Sequence, residues 1–150
     1  MPKLSGPEVE AFLDERHHLL RIATVGSDGY PSLVPVWFIR RGKELLFTPR
    51  AASSFLADLR RDPRVAISVD EDALPYRKVS IRGDVRMVHD LGADDRWRDL
   101  YRAIAKRYIS DEAADGYVDG TIDQPRALLA VSLAAPSRVT TWRMPVEGED

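Results

Sequence analysis

Residues 44–88 combine three short β-strand patterns with one short helical pattern, and no other part of the sequence restricts the fold as strongly. The strand patterns cover residues 44–48, 65–69 and 79–85, and the helical pattern covers residues 53–61. Apolar and polar residues alternate in the third strand, which is typical of a strand with one buried face. Successive parallel strands need long crossovers, and this segment has room for few of them. The pattern therefore favours antiparallel pairing.

The rest of the chain adds strands and marginal helices. Ser5 and Glu8 predict a capping box at the start of an N-terminal helix, and Pro7 suits its first turn. Further strand patterns lie in residues 19–25, 30–40, 127–133 and 138–143, and an amphipathic helical pattern lies in residues 93–109.

Glycine and proline positions refine the second of these strands. Gly26 and Gly29 predict a hairpin turn in which glycines adopt positive φ. Pro31 and Pro35 cannot donate hydrogen bonds to a sheet. We therefore expect the strand of residues 30–40 to lie at a sheet edge, to be bulged or to face a ligand.

These patterns predict a mainly β (α+β) fold of six to seven antiparallel strands with peripheral helices. Hairpin connections favour a small closed β-barrel over a doubly wound parallel sheet. The chain has 150 residues and shows neither an internal repeat nor a linker, so we expect one domain, residues 1–150.

Composition excludes several classes of partner. The net charge is −2 and the arginines are dispersed among acids, so we expect no nucleic-acid partner. The sequence contains no cysteine, which excludes disulfides and thiolate metal sites. Neither a signal-peptide pattern nor a membrane-spanning apolar run is present, so we expect a cytoplasmic protein without a membrane partner.

Motifs for other chemistries are missing. The sequence has no G-x-S-x-G elbow, Walker loop or G-x-G-x-x-G run, which argues against the corresponding hydrolases, nucleotide triphosphatases and Rossmann dehydrogenases. His17, His18 and His89 lack the spacing of a metal site, and the sequence predicts none. The acidic residues of 111–115 indicate a solvated stretch, interrupted by the glycines that follow.

The run LLFTPRAASSFLADLRRDPRVAISVD, followed by KVSIRGDVRMV, resembles the pyridoxamine 5′-phosphate oxidase-like superfamily of flavin-binding split β-barrels. Within it, the sequence is similar to the small proteins that use FMN or the deazaflavin F420. The resemblance covers residues 5–142. It implies a split β-barrel, F420 or FMN as cofactor, and a homodimer with sites at the subunit interface.

The start of the short helix contains the first candidate cofactor-binding residues. Ser53 and Ser54 fit a phosphate site, and they equally fit a helix N-cap; the two roles are compatible. Arg50 fits a contact to the same phosphate or an ordinary solvated arginine. Thr48, at the end of the preceding strand, is included among the cofactor-binding candidates.

Other candidates follow from the resemblance. It implies that Lys78 and Arg82 help to hold the cofactor phosphate or acidic tail; the alternative is ion pairing with nearby acids, namely Glu71, Asp72 and Asp84. It also implies that Pro35, Val36 and Trp37 contact the cofactor ring and that Trp142 lies near the partner subunit's site. The alternative for both tryptophans is packing in the core, or for Trp37 in a dimer interface.

Phe55 departs from the family pattern. Cofactor-binding relatives commonly carry a lysine at this position of the short helix. Losing that ammonium removes a charged hydrogen bond worth roughly 1.5–3 kcal/mol. Arg50, Lys78 or Arg82 would have to compensate.

Two functions fit these residues. The first is an oxidoreductase in which reduced F420 or FMN passes a hydride to a small-molecule substrate. Because such a cofactor supplies the chemistry, no dedicated catalytic side chain is expected. The second is a non-catalytic carrier of a flavin, F420 or haem on the same fold.

Overall fold

The computed structural model describes residues 3–149 and shows an antiparallel sheet of eight strands with four α-helices in that range. The predicted mainly β split-barrel class is confirmed. Met1, Pro2 and Asp150, which the predicted domain 1–150 includes, lie outside the described residues. None of the helices in residues 3–149 is long and apolar enough to cross a bilayer.

The elements follow one another in the order that the sequence predicts, with one additional helix and one additional strand. The strands are β1 (Leu20–Val25), β2 (Pro31–Val36), β3 (Ile39–Arg41), β4 (Glu44–Phe47), β5 (Arg64–Asp70), β6 (Lys78–His89), β7 (Leu128–Ser132) and β8 (Arg138–Trp142). The helices are α1 (Gly6–Asp14), α2 (Ser54–Arg61), α3 (Arg98–Ala105) and α4 (Asp111–Gly120).

The long strand β6 joins two half-sheets. The strands pair in the order β2-β1-β5-β6-β7-β4-β3, and β8 pairs with β6 outside this path. Residues 78–84 of β6 pair with β5, and residues 78–82 also pair with β8. Residues 85–89 pair with β7 instead. Each half-sheet therefore depends on a different part of the same 12-residue strand.

Trp37 and Phe38 connect the two ends of the strand path, and we call them the β2–β3 joint. β2 begins the path and β3 ends it, yet only these two residues separate them in the chain. The predicted single strand of residues 30–40 is therefore wrong, and its division accounts for the additional strand. β2 lies at an edge, as its prolines predict.

Two apolar clusters hold the elements together. The larger one lies inside the half-barrels and includes Phe12, Leu20, Phe47, Ile81 and Leu129. The second packs α3 and α4 on β3, β4 and β7; its buried members include Ile39, Leu46, Trp97, Tyr101, Ile104, Ala114, Val118 and Leu128. This second cluster fixes the helices that border the candidate site.

Residues 111–120 form α4, a helix that the sequence did not predict, although Asp111 and Glu112 of the predicted solvated stretch are exposed. Ser110 caps the helix by accepting a hydrogen bond from the Ala113 backbone N–H at 3.2 Å. Ala114 and Val118 are fully buried. Burial of this apolar face and the cap together offset the low helix propensity of Gly116.

The turn between β1 and β2 follows the prediction only in part. Gly29 has a φ of +83°, whereas Gly26 does not adopt positive φ. At Gly26 a Cβ atom would lie 2.7 Å from the carbonyl oxygen of Tyr30. Close approach of the backbone is therefore the reason for glycine at that position.

Candidate functional site

A cavity of about 460 Å³ lies between the β2–β3 joint, the start of α2 and the α3–α4 pair. Its size falls in the range of small-molecule sites. The lining residues are Leu19, Pro35, Val36, Trp37, Thr48, Pro49, Arg50, Ser53, Phe55, Tyr101, Tyr117 and Arg126. Apolar and aromatic walls therefore meet a few hydroxyl and guanidinium groups.

Trp37 forms a flat wall of the cavity, and Tyr108 fixes its position. The two rings stack with centroids 5.1 Å apart and planes 4° from parallel. The Tyr108 hydroxyl accepts a hydrogen bond from the Phe38 N–H at 3.1 Å and donates one to the His18 carbonyl at 2.6 Å. The ring and the backbone of the joint are thus held by one side chain.

The start of α2 forms another side of the cavity. Ser53 occupies the N-cap position, but its side chain makes no capping hydrogen bond with the residues described here. Its hydroxyl therefore remains available to a ligand. Phe55, two residues further, is buried in the large core cluster and also lines the cavity. An apolar ring thus occupies the position at which the resemblance implies a lysine.

Arg50 and Arg126 converge on the hydroxyl of Tyr117. Arg50 donates to this oxygen from Nη2 at 2.5 Å, and Arg126 donates from Nη2 at 3.1 Å. Arg126 also donates to the Thr48 carbonyl at 2.9 Å, and its guanidinium lies 4.4 Å from the centre of the Tyr101 ring. The cavity therefore carries concentrated positive charge beside aromatic rings.

These charges act on the two phenols in different ways. Burial opposes ionisation of Tyr117, but the neighbouring Tyr101 hydroxyl, the hydrogen bond from Arg50 and the charges of Arg126 and Arg50 together outweigh it and lower the pKa of Tyr117 below its usual 10. Burial dominates at Tyr101 and raises the pKa of its hydroxyl. Tyr117 is therefore the more acidic of the two phenols.

The structure brings part of the predicted site together. The predicted residues that line the cavity are Pro35, Val36, Trp37, Thr48, Arg50 and Ser53; the predicted residues outside its lining are Ser54, Lys78, Arg82 and Trp142. Ser54 is exposed in the first turn of α2. Arg50 contacts Tyr117, a partner that the sequence did not suggest.

Lys78, Arg82 and Trp142 share one face of the sheet formed by β2, β1, β5, β6 and β8. Lys78 pairs with Trp142, and Arg82 pairs with Arg138 on the same strand β8. The residues between them, Val79 and Ile81, point into the core. Neither Lys78 nor Arg82 has an acidic side chain within 4 Å among residues 3–149, so the ion pairs considered as the alternative are not formed there.

Sequence reasoning missed the three cavity residues Tyr101, Tyr117 and Arg126, which carry its other polar side-chain groups. Tyr101 was expected only as part of an apolar helical stripe, and no role was predicted for Tyr117, which follows the acidic stretch. The helical spacing of Ala114, Tyr117 and Val118 is the signal that identifies Tyr117 as part of a packed helix. Nothing in the local sequence marks Arg126, whose burial depends on distant residues.

Comparison with known proteins agrees with this architecture. The family model for pyridoxamine 5′-phosphate oxidase matches residues 5–142. No curated protein matches the sequence significantly. An F420 reductase of known structure is 27% identical, with a TM-score of 0.60; the alignment covers 84% of this chain and 93% of that chain.

Two further structures share the fold. The conserved hypothetical protein Rv2991 from Mycobacterium tuberculosis is 24% identical, with a TM-score of 0.73 and coverage of 98% of this chain and 92% of that chain. HutZ, the haem storage protein from Vibrio cholerae, is 20% identical, with a TM-score of 0.66 and coverage of 90% and 94%. Because the family match extends over most of its length, the chain belongs to the pyridoxamine 5′-phosphate oxidase family.

Proposed function

We propose that the protein is an oxidoreductase that binds F420 or FMN in this cavity and reduces a small-molecule substrate. The observation that carries the proposal is the composition of the cavity: a flat aromatic wall at Trp37 and a cationic rim at Arg50 and Arg126. A planar redox ring with an anionic side chain requires both. The similarity to an F420 reductase supports F420 as the first cofactor to test.

The residues present fit such a cofactor. Pro35, Val36 and Trp37 offer an apolar surface for the ring, and the Ser53 hydroxyl and the cavity's cations suit a phosphate. When bound, a reduced flavin or deazaflavin supplies the hydride. The chain's own residues bind and orient the ligand, exclude water from the ring and offer the Tyr117 O–H as a hydrogen-bond donor.

The proposal includes a homodimer with the cavities at its interface. The sheet face that Lys78, Arg82 and Trp142 share carries small residues at its centre, including Ala66, Ser68 and Ser80. Within residues 3–149, the helices that contribute to the two core clusters lie on the other side of this sheet. Pro35 belongs to this face through its pairing with Arg21, and it also lines the cavity. A second copy packed there would bring its Lys78, Arg82 and Trp142 near the cavity.

A non-catalytic carrier of a flavin, F420 or haem is the second candidate. Phe55 favours it, because a cofactor anchored by one fewer cation dissociates more readily. HutZ, with the same fold, is a haem storage protein.

Titration of the purified protein separates these candidates. FMN, F420 and haem would each be added while the visible spectrum and cofactor fluorescence are recorded. Saturable binding of F420 or FMN, with turnover of an added electron acceptor, supports the oxidoreductase. Binding without turnover supports the carrier, and binding of none of the three contradicts both.

Arg82→Ala tests the contribution of a second subunit. We expect weaker cofactor binding, whereas Arg86→Ala on the same strand should leave binding unchanged because Arg86 pairs with Glu44 at 2.8 Å. Either of two results would contradict a role for Arg82 in the site: sedimentation of the wild-type protein as a stable monomer, or unchanged cofactor affinity in Arg82→Ala.

A further inference from the structure

The hydroxyl group of Tyr117 has an unusual set of partners. Its oxygen accepts hydrogen bonds from two guanidinium groups, those of Arg50 and Arg126. Because both contacts use the oxygen as acceptor, the phenolic hydrogen remains available to donate to a ligand. Two like charges held around one neutral oxygen repel each other, and this arrangement is stabilised when an anion enters.

Arg126 strengthens this argument because its charge is buried. The residue is only 8% exposed, and its Nε has no hydrogen-bond partner among residues 3–149. No acidic side chain of that range forms an ion pair with it. Asp94 accepts a hydrogen bond from the Arg126 backbone N–H at 2.9 Å and not from the guanidinium. A buried cation without an anionic partner is unfavourable unless a ligand supplies one.

The groups around Tyr117 come from every neighbouring element. Arg50 lies between β4 and α2, Arg126 precedes β7, and Tyr101 lies on α3 with its ring 6.2 Å from the Tyr117 ring. The Tyr101 hydroxyl is buried and lacks a hydrogen-bond partner among the residues described. The surroundings are therefore cationic and rich in unused hydrogen-bond donors.

We propose that Arg50, Tyr117 and Arg126 form an oxyanion-binding subsite that takes a phosphate or carboxylate group of a ligand in the cavity. The two guanidinium groups provide charge and N–H donors, and Tyr117 adds an O–H donor. The subsite lies on the α4–β7 side of the cavity. It provides positive charge in place of the lysine that the resemblance implies in α2, where this chain has Phe55. The charges of Arg126 and Arg50 also contribute to the lowered pKa of Tyr117.

The oxyanion is either the cofactor phosphate or an anionic group of the substrate. The choice between these two sources rests on the proposed function, whereas the subsite itself does not. Both sources present the same chemistry to the three residues. A test with a simple anion therefore examines the subsite itself, and a test with two flavins identifies the source.

Calorimetric titration with inorganic phosphate is the first test. We expect the wild-type protein to bind phosphate, with affinity reduced about tenfold or more in Arg50→Ala and Arg126→Gln and reduced measurably in Tyr117→Phe. Arg86→Ala is the matched control and should bind as the wild type does. Arg126→Gln removes interior hydrogen bonds, so circular dichroism must confirm its fold. If that variant unfolds, Arg50→Ala still tests the subsite, because Arg50 is exposed. Absent phosphate binding, or equal affinity in wild type, Arg50→Ala and Tyr117→Phe, would overturn the subsite.

FMN and riboflavin, which lacks the phosphate, then identify the source. If Arg50→Ala weakens binding of FMN and not of riboflavin, the subsite takes the cofactor phosphate. If FMN binding is unchanged and phosphate still binds to the FMN complex, the subsite takes an anion of the substrate. Phosphate binding that depends on Arg50, in a protein that binds neither FMN nor F420, would support the subsite and contradict the proposed cofactor.

Discussion

The guanidinium group of Arg107 lies 4.7 Å from the centre of the Phe38 ring and donates a 2.6 Å hydrogen bond to the Phe38 carbonyl. It also donates to the carbonyls of Leu13 and Glu15, at 2.8 and 2.9 Å. One buried side chain thus attaches the β2–β3 joint to the end of α1. The position of the Trp37 wall depends on this attachment.

Arg107→Met is expected to lower the free energy of unfolding by about 2–4 kcal/mol, because three carbonyl groups lose their donor. Urea denaturation measures this change. Arg16→Ala is the control, since its exposed side chain donates to one carbonyl, that of Lys106. A loss below about 1 kcal/mol in Arg107→Met would contradict the role assigned to Arg107.

Ser5 and Ser53 occupy equivalent N-cap positions but should respond differently to alanine. The Ser5 hydroxyl accepts a hydrogen bond from the Glu8 N–H at 3.2 Å, and the Glu8 side chain accepts one from the Ser5 N–H at 3.0 Å. Ser5→Ala should cost about 1 kcal/mol of stability, whereas Ser53→Ala should cost less than about 0.5 kcal/mol. Chemical denaturation of both variants checks the difference, and equal losses would refute it.

Arg77 makes stability depend on acid pH. Its hydrogen bonds to Glu71 and Glu15 lower the pKa of both carboxyl groups below their usual 4.5. Such groups stabilise the folded state above their unfolded pKa, and this contribution is lost as pH falls through the lower folded pKa. Stability of the wild-type protein should therefore decline below about pH 5.

Arg77→Met should flatten this decline and should also lower stability at neutral pH by about 1–2 kcal/mol, most of it through Glu71, because Glu15 is more exposed. Unfolding free energies measured between pH 7 and pH 3 provide the test. Arg86→Met, which breaks an exposed ion pair, is the control. An equally steep decline in Arg77→Met would show that other groups cause it.

Two glycines should respond to alanine with opposite signs. A Cβ at Gly26 would lie 2.7 Å from the Tyr30 carbonyl oxygen, so Gly26→Ala should lower stability by about 1–3 kcal/mol. At Gly116, inside α4, no described atom beyond its chain neighbours and the helix's own backbone would lie within 4 Å of a new Cβ. Gly116→Ala should raise stability by roughly 0.5–1 kcal/mol through helix propensity. Thermal and chemical denaturation measure both changes, and the same sign in both would be inconsistent with this account.

Local patterns predicted much of the fold. The alternation in β6, the capping box of α1 and the prolines of β2 act within a few residues, and the structure contains each of these elements. The division between β2 and β3 depends instead on Arg107 and Tyr108, which lie about 70 residues away in the chain. A local pattern contains no information about such contacts.

The candidate site was predictable on two of its three sides, the β2–β3 joint and the start of α2. Arg50 and Ser53 lie beside a recognisable strand-turn-helix pattern, and both line the cavity. Tyr117 reaches it because α4 packs on α3 through the buried Ala114 and Val118. Arg126 is held beside it by its hydrogen bond to the Thr48 carbonyl. Acidic residues and glycines concealed that helix, and with it Tyr117, on whose hydroxyl Arg50 and Arg126 converge.

Trp37 both completes the connection between the outer strands and lines the cavity. Any compound that binds there therefore also stabilises the folded chain. Binding restricted to the folded state raises its stability in proportion to the logarithm of ligand concentration once sites are filled. Metabolites can therefore be ranked by the rise they cause in melting temperature, before any turnover assay exists. Those that combine a flat ring with an acidic group should head that ranking.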